Sequence, residues 1–410
     1  MRIAIVGSGV SGLVAAWLLH REHEITVFEA SNRVGGHVHT VEVSDRDGTV
    51  HAVDTGFIVY NERNYPLFTK LLEQLGVPSQ SSEMSFSVRC DRTGLEYNGS
   101  TYRQLFAQRR NLIRPSFHRM LLDILRFNRQ ASRDVALGLG PETLGAYLDR
   151  GRFSAGLAEH YLVPMGSALW STAPSRVLEM PIEFFVRFFE QHGMLTVDDR
   201  PQWRVVHGGS ARYVDALVAP LRDRIRIRAP VRRVSRGAGG VEVDGDAFDH
   251  VVFACHSDDA LATLADTTEA ERSILGALPY MDNDVVLHTD TSVLPRRRRA
   301  WGAWNYRIGE GADDTVRVTY NMNALQTLTS DETFLVTLND TAAVNKNSIL
   351  FRTTYRHPQY SLDGFAAQGR HGEISGVART HFCGAYWGYG FHEDGVRSGV
   401  RVAEGLGASF

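Results

Sequence analysis

The sequence predicts an α/β fold in which a parallel sheet begins near the N-terminus and a region of mixed helices and strands is inserted into it. Three observations indicate this fold. A strand, a glycine-rich turn and a helix follow one another in "RIAIVGSGVSGLVAAWLL" (2–19). A second apolar strand, "ITVF" (25–28), follows at the distance expected for a βαβ unit. Alternating apolar residues in "TVRVTYNMN" (315–323) and "TFLVTLN" (333–339) indicate a further, half-buried sheet.

The glycine turn of the βαβ unit predicts a phosphate site. Gly7, Gly9 and Gly12 have G-x-G-x-x-G spacing. Gly7 permits the tight turn, Gly9 lets the backbone approach a pyrophosphate, and Gly12 lets the helix pack closely on the strand. The helix N-terminus offers free N–H groups to the phosphate. Glu29 ends the second strand, where an acid binds a ribose hydroxyl. The unit therefore predicts an adenine dinucleotide, NAD or FAD.

The composition narrows the class of protein. The chain has 410 residues, 43% of them hydrophobic and 22% charged, which is typical of a globular protein of two or three domains. A net charge of -3 argues against nucleic-acid binding. Three scattered cysteines favour neither a disulfide framework nor a metal site, so we expect a reducing, cytoplasmic compartment and no metal. Residues 4–19 lack the flanks of a secretory signal, and no other stretch is long and apolar enough to span a membrane.

Three further segments distinguish FAD from NAD through their resemblance to the flavin amine oxidase superfamily. After Glu29, "ASNRVGGH" (30–37) resembles the E-x-x-x-R-x-G-G-R fingerprint of that superfamily. "PVRRV" (230–234) resembles the strand whose valine backbone pairs with adenine. "FCGAYWGYGFHEDGVRSGVRVAEG" (382–405) resembles the closing FAD motif. The resemblance implies a Rossmann-like, glutathione-reductase-type FAD domain, similar to those of phytoene desaturases and protoporphyrinogen oxidases. Cys383 is expected to pack in the core, so the FAD is expected to be non-covalent.

The resemblance also implies which residues bind FAD. "DTGFIVYNERNYP" (54–66) matches a turn that approaches the flavin in relatives, although Asp54 can equally serve only to cap that turn. "HGGSARYVDAL" (207–217) is either a second turn near the cofactor or a plain structural turn. The residues predicted to bind FAD are Gly7, Gly9, Val10, Ser11, Gly12, Glu29, Ala30, Arg33, Gly35, Gly36, His37, Thr55, Gly56, Phe57, Val231, Gly384, Glu393, Asp394, Gly395, Val396 and Ser398.

Departures from the superfamily pattern bear on the chemistry. His37 replaces the last arginine of the fingerprint, and Ala385 stands where many relatives have an acid. Many amine oxidases have a lysine that faces the flavin. This chain has only Lys70 and Lys346, and neither is obviously placed for that role. The missing lysine counts against simple amine oxidation.

The motifs predict a discontinuous domain organisation. The FAD domain is expected to comprise residues 1–85, 204–262 and 370–410. The substrate domain is expected to comprise a largely helical part, 86–203, and a strand-rich part, 263–369, whose sheet covers the flavin.

Four strings narrow the resemblance to a bacterial subgroup associated with cyclopropane-fatty-acid-synthase-like methyltransferases. They are "VDTGFIVYNERNYP" (53–66), "YLVPMGSALWS" (161–171), "HPQY" (357–360) and "FHEDGVRSG" (391–399). The subgroup implies an unsaturated or methylated fatty acyl substrate, which is desaturated or isomerised, and a methyltransferase partner. Amine oxidation remains an alternative, as does a flavoprotein that binds lipid without redox chemistry of its own.

Candidate catalytic and substrate-binding residues follow from these motifs. His37 and His392 can move a proton, because histidine titrates near neutrality. Tyr389, in the closing motif, is expected beside the flavin. For each of these, packing or helix capping is the alternative role. The predicted substrate pocket comprises Trp304, Tyr306, His357, Tyr386 and Trp387.

One basic segment suggests contact with a membrane surface. Residues 101–133 contain eight arginines and one aspartate, with Met120, Leu121, Leu122 and Leu125 at helical spacing. We expect peripheral contact with anionic lipid at the inner face of the cell membrane, or else a solvated helix. "PRRRR" (295–299) is either a solvated loop or a second contact with the same surface.

Overall fold

The computed structural model describes residues 1–138, 140–196, 200–311 and 313–410. The helices are α1 (Val10–Leu19), α2 (Pro66–Leu75), α3 (Tyr102–Leu105), α4 (Pro115–Ala136), α5 (Leu144–Arg150), α6 (Ala155–Leu157), α7 (Val163–Trp170), α8 (Pro174–Glu179), α9 (Ile182–Gln191), α10 (Ala211–Val218), α11 (Ser257–Thr263), α12 (Glu269–Leu275), α13 (Met322–Gln326), α14 (Leu362–Gln368) and α15 (His392–Gly405).

The strands are β1 (Arg2–Val6), β2 (Glu24–Phe28), β3 (Thr40–Ser44), β4 (Val50–Asp54), β5 (Val59–Asn61), β6 (Ser79–Ser81), β7 (Phe86–Cys90), β8 (Leu95–Asn98), β9 (Trp203–Val206), β10 (Ile225–Arg226), β11 (Val234–Gly237), β12 (Gly240–Val243), β13 (Asp246–Phe248), β14 (His250–Phe253), β15 (Tyr280–His288), β16 (Trp304–Ile308), β17 (Val318–Asn321), β18 (Leu335–Leu338), β19 (Ile349–Pro358) and β20 (Thr380–Phe382).

A five-stranded parallel sheet carries the βαβ unit. Its strand order is β10-β2-β1-β14-β20, and all of its pairings are parallel. Residues 3–6 of β1 are all buried, as expected for a parallel strand that is covered on both faces. The apolar helix α1 packs between this sheet and α15. The predicted βαβ unit is therefore confirmed, and strands from the three predicted FAD-domain segments form this sheet.

The second large sheet has seven strands, in the order β19-β15-β18-β17-β16-β7-β8. The predicted strands around 315–323 and 333–339 are present as β17 and β18. The segment 86–203 differs from the prediction at its beginning, because β7 and β8 are strands and β7 pairs in parallel with β16. The rest of the described part of that segment is mainly helical, from α3 to α9. The domain boundaries themselves stay a prediction.

The prediction for "PVRRV" is wrong in its secondary structure. Residues 230–233 lie outside any strand, and β11 begins only at Val234. The backbone N–H groups of Arg232 and Arg233 donate to the carboxylate of Asp244, which pulls this stretch out of the sheet. Val231 is half-buried and packs against the core beneath β14. Whether it contacts a cofactor remains a prediction.

The helical segment has its own aromatic core. Phe184, Phe185, Phe188 and Phe189 of α9 are buried, and Trp170 at the end of α7 packs on the first three of these rings at 5.0–5.8 Å. Large aromatic side chains contribute most of the apolar area in such a cluster. In the described residues, no helix is long and apolar enough to cross a membrane.

Candidate functional site

The N-terminus of α1 forms a cradle that is open to a phosphate. Gly9 is its N-cap residue, no side chain caps its first turn, and that turn contains no acid. The first N–H groups of a helix have no partner within the helix, so here they are available to an anion. A Cβ built on Gly9 meets no atom within 4 Å, so there is free space above this residue. Gly36 closes one side, since its Cβ would lie 3.0 Å from Cα of Gly9.

The other two glycines of the turn have structural roles. Gly7 has a φ of +107°, and a Cβ there would lie 2.8 Å from the backbone of Ala254 in the loop after β14. A Cβ on Gly12 would collide with the carbonyl oxygen of Gly7. The three glycines therefore have the different roles that the sequence predicts. Gly9 leaves space for a ligand, whereas Gly7 and Gly12 permit close packing of the backbone.

Glu29 lies at the edge of the cradle. Its carboxylate accepts hydrogen bonds from the backbone N–H of Ser8 (3.1 Å) and of Ser31 (2.8 Å), and from the hydroxyl of Ser8. The acid is thereby held beside the glycine turn, where a ribose of a bound dinucleotide would lie. Ala30 follows Glu29 directly. The Arg33 guanidinium donates to the carbonyls of Gly36 (2.7 Å) and Val38 (2.9 Å), which fixes the loop that leads to His37.

The closing motif meets the first turn of α1. A Cβ on Gly395 would lie 2.5 Å from Cγ1 of Val10 and 3.3 Å from Oγ of Ser11, so α15 approaches the phosphate helix closely. The Ser398 hydroxyl accepts a hydrogen bond from the N–H of Gly384 at 3.0 Å. Segments predicted from opposite ends of the sequence therefore converge on one site. Val396, on the same helix, is buried in the core that contains α1.

Asp54 joins the two predicted turns. Its carboxylate accepts hydrogen bonds from the N–H and hydroxyl of Ser210 (both 2.9 Å) and from the hydroxyl of Thr40 (2.6 Å). Burial raises its pKa to about 6. Asp54 thus caps and ties the turns and has no vacant side toward a ligand. Next to it, Gly56 is pressed against the carbonyl of His37, which also accepts the N–H of Phe57 at 3.0 Å.

A cluster of histidine and tyrosine rings surrounds His37. The ring of His37 lies 5.2 Å from Tyr355, 5.3 Å from His357 and 5.7 Å from His256. Tyr280 stacks on His256 at 4.2 Å. Because β15 and β19 supply Tyr280, Tyr355 and His357, the edge of the seven-stranded sheet covers the loop of the FAD fingerprint.

These histidines are neutral near pH 7. Burial, together with the nearby His256, lowers the pKa of His37 to about 3. Burial, together with His37, lowers the pKa of His357 to about 3. Burial lowers the pKa of His256 to about 4 and that of His39 to about 4, with nearby arginines adding to the effect. The backbone of Arg356 partly opposes this lowering of the His37 pKa, while Nε2 of that ring is buried without a partner in the described structure.

The protonation of His357 follows from its partner. Asn283 accepts a hydrogen bond from the Asn339 amide through Oδ1, so its Nδ2 is the donor to Nδ1 of His357, at 2.9 Å. Nδ1 therefore accepts, and the single proton of the neutral ring is on Nε2. His357 can donate a hydrogen bond from Nε2 but cannot accept one there.

The other two candidate catalytic residues lie in packed surroundings. His392, the first residue of α15, stacks on Phe57 at 3.3 Å and shares a hydrogen bond of 2.8 Å with the Tyr213 hydroxyl. Burial holds its pKa well below 6.5. Tyr389 packs on Phe184 (4.9 Å) and Phe188 (5.5 Å) instead of on the histidine cluster. His392 lies close enough to His37 for that ring to lower its pKa further, whereas the ring contacts of Tyr389 are with the helical segment.

The five predicted pocket residues do not form one pocket. His357 lies in the histidine cluster, and Tyr386 lies 6.4 Å from Tyr280. Trp304 and Tyr306 are on β16, four strand positions from β19, or roughly 19 Å across the sheet. β16 is an interior strand of the sheet, whereas the edge strand β19 covers the fingerprint loop. The ring of Trp304 therefore packs on Tyr320 of the neighbouring strand β17 and not on the histidine cluster. Trp387 turns toward His371 at 4.5 Å.

Glu393 and Asp394, which were predicted to bind FAD, hold backbone groups in place. Glu393 accepts from the N–H groups of Leu67 (3.2 Å) and Phe68 (3.0 Å) at the start of α2. Asp394 accepts from the N–H groups of Tyr389 (3.0 Å) and Phe391 (3.2 Å). Burial raises the pKa of Asp394 to about 6. Both carboxylates organise the chain around the N-terminus of α15.

Cys383 and the two lysines have structural surroundings of their own. Cys383 is fully buried, and burial raises the pKa of its thiol to about 12. Lys70 donates to the backbone carbonyl of Phe410 near the C-terminus. Lys346 lies in a turn beside β19 and lines an open groove of about 830 Å³ together with Arg352 and Asp284. The structure therefore agrees with the predicted packing role of Cys383 and with the missing lysine.

The residues present fit FAD. Space is left over Gly9 beside uncapped N–H groups, which suits a pyrophosphate. Polar atoms of His37 (Nε2), Tyr386 (hydroxyl) and Trp387 (Nε1) are buried without partners in the described structure, at the loops that would adjoin the flavin. Together with the parallel sheet, these features define an FAD-binding oxidoreductase fold.

Comparison with known proteins gives the family. The sequence profile of the flavin containing amine oxidoreductases matches residues 10–295, and the chain belongs to this family. This family assignment agrees with the FAD site that the geometry indicates.

Curated relatives share part of the chain. A flavin-containing monoamine oxidase described in Mycobacterium tuberculosis, AofH, is 28% identical over 260 residues, which is 60% of this chain. The chain covers 53% of the length of that relative, or about half. An L-amino-acid oxidase of Sistrurus catenatus edwardsii is 53% identical over 45 residues, or 11% of this chain and 9% of the relative.

Solved structures share the fold over nearly the whole chain. A CLA-producing fatty acid isomerase from P. acnes has a TM-score of 0.71 at 13% identity and covers 99% of both chains. Cyclohexylamine oxidase from Brevibacterium oxydans has a TM-score of 0.69 at 17% identity, again over 99% of both chains. At these identities the likeness shows the fold.

Several residues of the site escaped sequence reasoning. His39, His256, Tyr280, Asn283 and Tyr355 carry no motif, and they meet His37 only through the folding of the chain. The available local signals were the two histidines of "GGHVH" (35–39) and the single histidine, His256, that directly follows "VVFAC" (251–255).

Proposed function

We propose that this chain is an FAD-dependent oxidoreductase of fatty acyl chains that desaturates an unsaturated or methylated chain. The supporting observation is electrostatic: in the described structure, the region around His37 offers no free carboxylate to an ammonium group. Asp54, Glu393 and Asp394 are each occupied by hydrogen-bond donors of the protein. A buried ammonium without a partner is strongly disfavoured, whereas a neutral acyl chain needs none.

The positive charges of the region support the same substrate class. Arg33 lies close enough to His37 and His39 to lower the pKa of both. Arg356 is paired with Asp258 and Asp259, so the acids nearest His256 are already neutralised. A cationic amine would therefore meet neutral histidines and an arginine. The structural likeness to a fatty acid isomerase is in line with this proposal, and the absence of a lysine from the cluster adds to it.

The residues of the cluster have distinct roles in this proposal. FAD, when bound, supplies flavin N5 as the acceptor of a hydride. His37 is neutral and has one ring nitrogen without a partner, so it is the group best placed to accept a proton from the acyl chain. His357 keeps its proton on Nε2 and orients the substrate by donating from it. The edge strand β19 covers the site and excludes water, which keeps the reacting carbon atoms dry.

Anaerobic titration of the purified protein tests the substrate class. Phospholipid with monounsaturated or mid-chain-methylated acyl groups is expected to bleach the flavin absorbance, and the extracted lipid is expected to contain a new double bond. Cyclohexylamine and putrescine serve as the matched amine controls. Bleaching by an amine and not by lipid would overturn the proposal.

The same titration separates the two possible lipid reactions. A shifted double bond with the flavin oxidised at the end would identify net isomerisation in place of desaturation. An FAD-loaded protein that responds to neither lipid nor amine, yet forms a stable complex with a methyltransferase, would favour the non-redox role that the subgroup resemblance implies.

A further inference from the structure

An exposed apolar surface lies on the helical segment, away from the histidine cluster. It is formed by α3, the turn 109–113 and α4, and we call it the α3–α4 surface. Its large apolar side chains are exposed to an extent that is unusual for a globular protein. They are Tyr102 (72% exposed), Leu112 (46%), Ile113 (84%), Leu122 (65%) and Leu125 (44%).

Ring contacts and hydrogen bonds show that these side chains are neighbours. Tyr102 packs on Phe106 at 4.8 Å, and Phe106 lies 6.1 Å from His118. Nε2 of His118 hydrogen-bonds to the carbonyl of Leu112 at 2.9 Å. Leu122 follows His118 by one helical turn on the exposed side of α4, whose opposite side buries Phe117, Met120 and Phe127.

A rim of arginines borders the apolar side chains. The exposed arginines of this segment are Arg103, Arg109, Arg110, Arg119, Arg129 and Arg133. The one acid between residues 101 and 133 is Asp123, which is buried and paired with Arg119 and Arg126. The surface therefore has a strong positive charge with no exposed acid of its own.

A second basic segment, distant in sequence, joins this rim. Arg296 to Arg299 are all exposed. Their backbone is anchored to β8, because the Glu96 carboxylate accepts the N–H groups of Arg296 (2.9 Å) and Arg297 (3.0 Å). The turn Arg298–Ala300 then packs directly against α3. The fold thus gathers two arginine clusters around one set of exposed apolar residues.

We infer that the α3–α4 surface docks on an anionic phospholipid bilayer. Arginines pair with lipid phosphates, while Tyr102, Ile113 and Leu122 enter the boundary between headgroups and acyl chains. A nucleic acid would satisfy the arginines but would leave Ile113 and Leu122 in water. A second copy of the chain would bring two positive surfaces together. The inference rests on this surface alone and does not depend on the proposed acyl substrate.

Vesicle co-sedimentation of the full-length, FAD-loaded protein tests the inference. Vesicles of phosphatidylcholine with about 30% phosphatidylglycerol are expected to bind the protein at least tenfold more tightly than pure phosphatidylcholine. Binding is expected to weaken in about 0.5 M NaCl, which screens exposed charges. Equal affinity for the two vesicle types, or binding to neither, would overturn the inference.

Two variants separate the apolar and basic contributions. I113Q/L122Q and R296Q/R297Q/R298Q/R299Q are each expected to weaken binding to the anionic vesicles by about tenfold or more. The matched controls are V50Q/V377Q, which removes apolar side chains exposed elsewhere (59% and 50%), and R46Q/R401Q, which removes arginines elsewhere. Both controls are expected to bind like the parent protein.

A polyanion control distinguishes lipid from other anions. Heparin binding is expected to depend on the arginines but not on Ile113 and Leu122. If I113Q/L122Q retains full affinity for anionic vesicles, the surface is a general polyanion site and the inference of bilayer docking is wrong. Circular dichroism of each variant is expected to match the parent protein, since all substituted side chains are exposed.

Discussion

The phenol oxygen of Tyr355 lies 3.0 Å from Oγ1 of Thr55 and 3.3 Å from Nδ1 of His39. The edge strand of the seven-stranded sheet is therefore hydrogen-bonded to the turn that was predicted to approach the flavin. This contact joins strand β19, which covers the candidate site, to the turn around Thr55. The position of β19 over the site therefore depends on a single hydroxyl group.

Replacement of Tyr355 by phenylalanine tests this link. We expect Y355F to fold, with a stability loss of about 1 kcal/mol, because one neutral hydrogen bond is removed. We also expect a shifted visible spectrum of the bound flavin and slower flavin reduction by substrate. Y320F is the matched control, since Tyr320 lies in the same sheet and its hydroxyl contacts the carbonyl of Ala168. An unchanged spectrum and rate in Y355F would contradict the assigned position of the flavin.

Two glycine substitutions should separate cofactor binding from folding. In G9A, the new methyl group meets open space, and the extended backbone of Gly9 (φ -67°, ψ 179°) suits alanine. We therefore expect an unchanged Tm without FAD and a loss of FAD affinity of at least about tenfold, since the methyl group takes the space of the pyrophosphate. G12A, in contrast, should lower the Tm of the FAD-free protein, because its methyl group collides with the carbonyl of Gly7. Thermal denaturation and FAD fluorescence titration measure the two effects.

The pH dependence of flavin reduction should reflect the lowered pKa of His37. Because that pKa is about 3, the ring is already the neutral base at pH 5.5, and its protonation should reduce the rate only as the pH falls toward 3. We expect stopped-flow rates of the parent protein to show no titration near pH 6.5, and H37Q to be slower at every pH. A rate that rises with an apparent pKa near 6.5, and loses this step in H37Q, would show that His37 is more solvated than its contacts indicate.

Acid should destabilise the protein. Burial lowers the pKa of His192, His288 and His381 to about 4, like that of His256. Between pH 6.5 and about 4 the unfolded chain therefore binds more protons at these rings than the folded chain, and stability falls as the pH falls. Asp54 and Asp394 act in the opposite direction, since their pKa values are raised to about 6, but they are outnumbered.

Thermal denaturation at constant ionic strength measures this effect. We expect the Tm to drop by at least about 5 °C between pH 7 and pH 5. H288Q removes one of the titrating rings and retains a hydrogen-bonding group toward Thr337, so it should show a shallower drop. A Tm that is constant or rises on acidification would mean that the carboxylates dominate.

Sequence patterns predicted the part of the site whose residues are close together in the sequence. The βαβ unit, the glycine turn and Glu29 lie within thirty residues, where strand and helix periodicity and backbone sterics determine the geometry. The family resemblance identified the closing motif, and folding brings its Gly395 against Val10 and Ser11. The prediction for "PVRRV" (230–234) came from the family resemblance, and its secondary structure was wrong because the Asp244 carboxylate accepts the backbone N–H groups of Arg232 and Arg233.

The histidine cluster could not be predicted in the same way. His37, His256 and His357 come from three remote segments, and only the pairing of β15 with β19 brings the last of them over the fingerprint loop. Trp304 and Tyr306 were predicted to line the same pocket as His357 because the strands of the sheet that covers the flavin have similar sequence patterns. Their separation from His357 depends on strand order, which alternating apolar residues do not encode.

The parallel pairing of β7 with β16 has a consequence for synthesis on the ribosome. Residues 86–90 leave the ribosome long before residues 304–308, and β1 cannot complete its sheet until residues 380–382 have also emerged. The five-stranded sheet therefore stays without β20 until residues 380–382 have emerged, and β7 stays without its partner β16 until residues 304–308 have emerged, so apolar strand edges are uncovered for much of translation. Termination before residue 304 leaves both sheets incomplete, and the uncovered strand edges favour aggregation of the truncated chain.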